Sequence, residues 1–231
     1  MPAVVPQAVL IILFLLLFNL WPELDLAASH ALFEPDQGFF LKEHWLTMTV
    51  YRSVNFFSIA YAAVLIGIAA CSYVWRESLA HMRPAAWFLL LALAIGPGLA
   101  THNLFKNNWG RPRPIQTAQF GGVQDFVAAG RIGEGCRSNC SFVSGHAAMG
   151  FYLLAIGYVI RQRKRFWHIA GIVAGLCIGA VRVAQGKHFV SDVLFTYFVV
   201  WACSLALYAL MSRLRGASAR PLAVPVRAGA A

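Results

Sequence analysis

Residues 53–75 read SVNFFSIAYAAVLIGIAACSYVW, an unbroken run without one charged side chain. About 20 apolar residues in helical conformation cross the ~30 Å hydrocarbon core of a bilayer, so this run is long enough to span. Five more apolar segments lie on either side of it, at 4–21, 86–105, 145–160, 166–183 and 189–212. The expected fold is therefore all-α, a six-transmembrane-helix bundle forming a single membrane domain over residues 1–215. The Ala-, Pro- and Arg-rich tail 216–231 is expected to be a disordered cytoplasmic extension. Composition agrees, with 59% hydrophobic and only 12% charged residues among 231. That charged share is about half the usual one for soluble domains, too little to cover a soluble globule, and the apolar content excludes disorder. Ser29-His30-Ala31 has the look of a signal cleavage site. However, a basic n-region is missing and Glu23 and Asp25 precede the cut, so a retained first helix is expected.

The charges are lopsided, 19 Lys and Arg against 9 Asp and Glu. In so apolar a chain this excess points to membrane topology and an anionic substrate rather than to nucleic acid. With six spans, the side holding both termini carries ten basic residues and the opposite side nine, which by itself decides nothing. The run Arg161–Arg165 is a compact cytoplasmic anchor, whereas the basic residues opposite gather in segments that look chemical. Both termini are therefore expected inside, with the connections after helices 1, 3 and 5 outside.

Three of those outside segments stand out. Lys106-Asn107-Asn108-Trp109-Gly110-Arg111-Pro112-Arg113-Pro114 leaves helix 3, and Cys140-Ser141-Phe142-Val143-Ser144-Gly145-His146 enters helix 4. The stretch Arg182-Val183-Ala184-Gln185-Gly186-Lys187-His188-Phe189-Val190-Ser191-Asp192 bridges helices 5 and 6. Six-helix parity places all three at one membrane face. Their residue types suit a phosphate ester. Arg113 and Arg182 offer guanidinium forks for phosphate oxygens, and Lys106 adds a point charge. Gly145 admits backbone N–H groups to an anion at a helix N-terminus, and Ser144 adds a hydroxyl. His188 and Asp192 are four apart, a spacing that lets the carboxylate orient the imidazole as a nucleophile. His146 is then free to protonate a leaving oxygen. Taken singly, these residues also read as interfacial anchors, a helix start and a structural hydrogen bond; their coincidence at one face argues for a site. Two His and one Asp among basic groups suit a metal poorly, so neither metal nor cofactor is expected. His102, within helix 3, receives no role.

Lys106 with six residues before Arg113-Pro114, then Ser144-Gly145-His146, then Arg182 with five residues before His188 and three before Asp192, resembles a known tripartite pattern. It is that of the type 2 phosphatidic acid phosphatase and vanadium haloperoxidase superfamily. Val143 stands where that superfamily usually has Pro, and Val181 where it usually has Ser. The resemblance implies a metal-free phosphatase in which His188 attacks phosphorus, Asp192 orients it and His146 protonates the leaving group. Lys106, Arg113, Arg182, Ser144 and Gly145 would hold the phosphoryl oxygens. A narrower resemblance covers about residues 86–212 and includes Gln119-Phe120-Gly121-Gly122 and Asn139-Cys140-Ser141-Phe142-Val143-Ser144-Gly145. It is to the lipid A 4′-phosphatases of Gram-negative bacteria, implying an inner-membrane enzyme whose site faces the periplasm.

The expectation is thus dephosphorylation of a membrane lipid phosphomonoester, lipid A foremost, through a phosphohistidine. Undecaprenyl diphosphate and phosphatidylglycerophosphate are alternative substrates, and phosphoryl transfer to another lipid is an alternative reaction. An anion transporter would need its charges at mid-membrane depth, but here they sit at helix ends. The residues do not specify the oligomeric state. Five Cys leave at least one unpaired within the monomer. Cys136 and Cys140, four apart in the loop before Ser144, are expected to pair if that loop lies in an oxidising compartment. Cys71, Cys177 and Cys203 lie in apolar segments and should stay reduced.

Overall fold

The computed structural model describes residues 4–215, so the expected tail 216–231 lies outside the described residues. Helix α1 (Val4–Leu20) ends at Trp21-Pro22, and a short α2 (Glu23–His30) turns away from it by 75°. A two-stranded antiparallel hairpin follows, β1 (Phe33–Glu34) and β2 (Gly38–Phe39), in which Phe33 pairs with Phe39. The long helices are α3 (Trp45–Val74), α4 (Arg76–Asn108), α6 (Arg161–Ala184) and α7 (Val190–Arg215), with the shorter α5 (Gly145–Val159) between α4 and α6.

The all-α membrane architecture is as read from the sequence, and every expected apolar segment is helical. Length and composition confirm fewer than the six expected spans. Four helices are long and apolar enough to cross a membrane, or five if α1 and α2 act as one bent span. Helix α5 falls short because the backbone leaves helical geometry at Ile160 (φ −107°, ψ 75°), directly before Arg161. At 1.5 Å per α-helical residue and about 2.0 Å over the 3₁₀ turn Tyr152–Ala155 it reaches roughly 24 Å, less than the ~30 Å of a bilayer core.

Local chemistry explains the other irregularities. Within α4, Pro97 lacks an N–H donor, and the backbone from Ala94 to Phe105 widens to π-helical geometry. Thr101 Oγ1 donates to the Gly96 carbonyl at 2.9 Å within this stretch. Helices α5 and α6 meet through glycines. A Cβ on Gly150 would lie 2.6 Å from the Gly175 Cα, so only the bare backbone permits this approach. Around that contact Phe88, Phe151, Tyr152 and Val200 form the buried centre, and the Tyr152 hydroxyl donates to the Leu89 carbonyl at 2.6 Å. Phe56, Phe57 and Ile59 on α3 point outward and are well exposed, as befits side chains solvated by lipid. Helix α1 packs on α7, with Gln7 Nε2 donating to the Tyr197 hydroxyl at 3.0 Å and Phe14 against Phe198.

Candidate active site

The C-terminal ends of α4 and α6 and the N-terminal ends of α5 and α7 meet at one end of the bundle, where backbone hydrogen bonds tie the three motifs together. Cys140 N donates to the Lys106 carbonyl at 2.9 Å and Ser141 N to the Arg111 carbonyl at 2.8 Å. Ile115 N reaches the Gly186 carbonyl at 3.1 Å, joining the first motif to the third. Long-range backbone pairs of this kind fix the loop 109–144 over the helix ends although it contains little regular structure. Within it the structure joins Cys136 to Cys140 by a disulfide, Cα to Cα 5.7 Å.

His188 is buried, and its Nδ1 lies 2.7 Å from the Ser141 carbonyl. A carbonyl only accepts, so Nδ1 carries the proton and the Nε2 lone pair faces away. Asp192 stands near but not in contact, its Oδ2 3.6 Å from Nδ1. Direct carboxylate–imidazole bonding, the contact expected from the i, i+4 spacing, is thus replaced by the Ser141 carbonyl. The reason is that the carboxylate is already saturated. Asp192 accepts from Arg111 Nη1 and Ser141 Oγ, both at 2.5 Å, and from Phe189 N at 2.8 Å. Burial holds the His188 imidazole down at about 3, against the pull of Asp192, so the ring is neutral at physiological pH.

Arg111 had no role in the sequence reading and is fully buried. Its Nη2 donates to Asp25 at 2.8 Å, its Nη1 also to Ser191 Oγ at 2.8 Å, and its Nε to the Val127 carbonyl at 2.8 Å. Asp25 in turn accepts from Ser191 N at 2.9 Å and from Ser191 Oγ. Helix α2 therefore delivers a buried carboxylate to the back of the site. Burial disfavours the charge on Arg111, yet Asp192 and Asp25 outweigh it and raise its pKa.

On the open side, Asn139 holds two phosphate-binding candidates together. Its Oδ1 accepts from Lys106 Nζ at 3.2 Å and from Arg113 Nη2 at 2.8 Å, and its carbonyl accepts from Arg113 at 2.7 Å. Asn139 has φ +51°, a left-handed conformation that Asn tolerates better than most residues. Ser144 caps α5, its Oγ accepting from Ala147 N at 3.4 Å while its own N–H donates to Thr196 Oγ1 at 2.9 Å. A Cβ on Gly145 would meet His102 Nε2 at 3.1 Å and Lys106 Cε at 3.5 Å, so the absent side chain keeps this corner open. His102, without a role in the sequence reading, therefore borders the site.

Tyr51 on α3 links the remaining pair. His146 stacks on its ring with centroids 4.7 Å apart, and the Arg182 guanidinium lies 4.8 Å from the same ring. Arg182 Nη1 donates to Gln185 Oε1 at 2.5 Å, leaving Nε without a partner. His146 Nε2 is likewise buried without a hydrogen bond. Both are polar atoms left for a ligand to satisfy. All eight residues singled out for catalysis and phosphate binding thus sit at this end of the bundle. Asp25, Tyr51, Arg111, Asn139, Ser141 and Gln185 were missed. Among the described residues no three His, Cys, Asp or Glu cluster as metal ligands would.

The arrangement can grip a tetrahedral anion with several cations, present a neutral imidazole nitrogen to it and offer a second imidazole nearby. Residues 85–215 match the profile of the PAP2 superfamily. The chain is 35% identical to the lipid A 4′-phosphatase of Francisella tularensis subsp. novicida (strain U112), over 85% of this chain and 90% of that one. It is 39% identical to the lipid A 4′-phosphatase of Rhizobium etli over 53% of this chain and 47% of that one. The lipid A 4′-phosphatase of Rhizobium leguminosarum gives 39% over 53% of this chain and 51% of its own length. No solved structure matches.

Proposed function

We propose a function from one premise: the chain belongs to the PAP2 superfamily. It is a membrane phosphatase, a phosphoric monoester hydrolase. Its substrate is lipid A, from which it removes the 4′-phosphate. The observation that carries this reading is the relative named for that reaction, which aligns with 85% of the chain and therefore with all three motifs.

Lys106, Arg113 and Arg182 hold the phosphoryl oxygens, with Ser144 and the backbone at Gly145 completing the cradle. His188 Nε2 attacks phosphorus, the bond from phosphorus to the lipid oxygen breaks, and His146 gives that oxygen a proton. Water, passing a proton to His146, then cleaves the phosphohistidine, releasing inorganic phosphate and restoring both histidines. Asn139, whose Oδ1 accepts from both Lys106 and Arg113, keeps the two cations converged.

Purified protein should release phosphate from lipid A in the presence of a chelator, since the three basic side chains supply the positive charge. Mass spectrometry of the product should show one phosphate missing from the distal sugar. Robust release from phosphatidylglycerophosphate or undecaprenyl diphosphate, with lipid A untouched, would replace this substrate assignment.

The protein resides in the inner membrane with the site at the periplasmic face, the bent α1–α2 pair and the short α5 crossing beside the four long helices so that both ends lie in the cytoplasm. Arg161–Arg165 lies at the end of the bundle opposite the motifs, where a cytoplasmic anchor belongs. The Cys136–Cys140 bridge suits the oxidising periplasm. Alkylation of unfolded protein without reductant should label Cys71, Cys177 and Cys203, whereas Cys136 and Cys140 should react only after reduction. Labelling of all five would place the loop on the reducing side.

A further inference from the structure

Beside the catalytic phosphate grip lies a cavity of about 610 Å³ whose wall includes Arg113 and Arg182 and also Lys42, Arg52 and Lys187. We propose that Lys42, Arg52 and Lys187 form a second anion subsite, which binds a further phosphate or carboxylate on the same headgroup whose phosphomonoester is hydrolysed. The inference rests on the phosphatase reading above and narrows the substrate to a lipid with at least two anionic groups.

The argument is one of unmatched charge. A phosphomonoester carries about two negative charges, and Lys106, Arg113 and Arg182 already exceed them. Three more cations share the cavity, against one carboxylate, Glu43. That carboxylate lies 3.8 Å from Lys42 Nζ and is 84% exposed, so water screens most of its effect. The side chains of Arg52 and Lys187 have no hydrogen-bond or ion-pair partner among the described residues. Like charges gathered around one cavity repel each other, and a second bound anion removes that repulsion.

Position separates this reading from plain membrane anchoring. An anchoring cation snorkels outward to water or lipid headgroups. Lys187 does the reverse: it is half-buried between the site residues Arg182 and His188, and shares the cavity wall with Lys42 and Arg113. Burial, then Arg113, Lys42 and Arg182, lower its pKa. Lys42 is held by its backbone, whose carbonyl accepts from Gln185 Nε2 at 3.3 Å, and Gln185 also binds Arg182. One side chain thus ties both anion sites together on a shared cavity.

The test is a specificity ratio. In neutral detergent micelles kcat/KM is measured for lipid A bearing both phosphates and for lipid A bearing only the 4′-phosphate. The wild-type protein should prefer the former. The triple variant Lys42→Gln/Arg52→Gln/Lys187→Gln should lower that preference roughly tenfold, the scale of a few half-exposed charge contacts. An equal fall on both substrates, leaving the ratio unchanged, would mean the three residues are merely structural and would overturn the subsite. A separate anionic lipid is distinguished by adding phosphatidylglycerol to the micelles. Equal stimulation of both substrates through the three residues would assign the site to a neighbouring lipid instead. If lipid A is not a substrate at all, the preceding assignment fails alone. The ratio is then taken between phosphatidylglycerophosphate, with two phosphates, and phosphatidic acid, with one, and the same loss or constancy decides.

Discussion

Replacing His188 by Ala is expected to lower turnover by about 10⁴-fold or more, the scale of losing the nucleophile from a concerted catalytic unit. The phosphoenzyme should vanish with it. Geometry gives the reason. Nδ1 is committed to the Ser141 carbonyl at 2.7 Å, which fixes the tautomer and leaves Nε2 as the attacking atom. Burial keeps the ring neutral down to a pH of about 3, so no proton must leave before attack. The positive charge that develops on the ring as the N–P bond forms is met by that carbonyl and by Asp192, 3.6 Å away. Rapid quench with labelled substrate should trap an acid-labile, base-stable phosphohistidine in the wild-type protein. Label that survives in His188→Ala would show that another residue is the nucleophile. The depressed pKa has a second consequence. Between pH 6.5 and about 3 the unfolded chain binds a proton at His188 that the folded one does not, so this residue lowers stability as pH falls through that window. Loss of activity near pH 5 to 6 would therefore come from a different group.

How much of this was legible in the sequence depends on which physical signal each residue leaves there. Apolar runs of bilayer length are unmistakable, and all six segments proved helical. The order of the apolar segments, with the superfamily resemblance, placed Lys106, Arg113, Ser144, Gly145, His146, Arg182, His188 and Asp192 at one end of the bundle. Asp25 was visible only as an acid after an apolar helix. Its meaning depends on the 75° turn that follows Trp21-Pro22, which no periodicity announces. Arg111 lies two residues from Arg113, and nothing in the string separates a guanidinium that faces substrate from one that faces inward. Only the packing does so: Arg111 reaches Asp25, Asp192, Ser191 and Val127, whereas Arg113 reaches Asn139. Tyr51 is one aromatic among many on α3, and only packing distinguishes it. The shortness of α5 was legible in the bounds 145–160, but its 3₁₀ turn was hidden, because a segment of Tyr, Leu and Ala is as apolar as the α-helix it interrupts.

Arg111 is where folding and catalysis meet, and Arg111→Ala is expected to cost about 3–5 kcal/mol of stability, the usual penalty for breaking a buried ion pair from one side. Asp25 and Asp192 are both buried and share this one cation, at 2.8 and 2.5 Å, so its removal leaves two carboxylates facing each other uncompensated. Arg111→Lys should recover only part of the loss. Three nitrogens of the fork reach four acceptors on three segments, Asp25, the adjacent Ser191 and Asp192, and Val127, and one ammonium cannot span them. Thermal unfolding in detergent reads these differences directly, and an alanine variant as stable as the wild type would refute the shared-cation arrangement. Adding Asp25→Asn to Arg111→Ala separates the two roles. With one uncompensated charge gone, part of the lost stability should return. Activity should not, because Asp192 would still lack the guanidinium that turns its carboxylate toward Ser141 and the Phe189 amide. Freed from that hold, Asp192 can swing onto Nδ1 of His188 or away from it, and either motion disturbs the imidazole that must face phosphorus. kcat should therefore stay depressed in the stabilised double variant, whereas KM, set by Lys106, Arg113 and Arg182 on the open side, should change little.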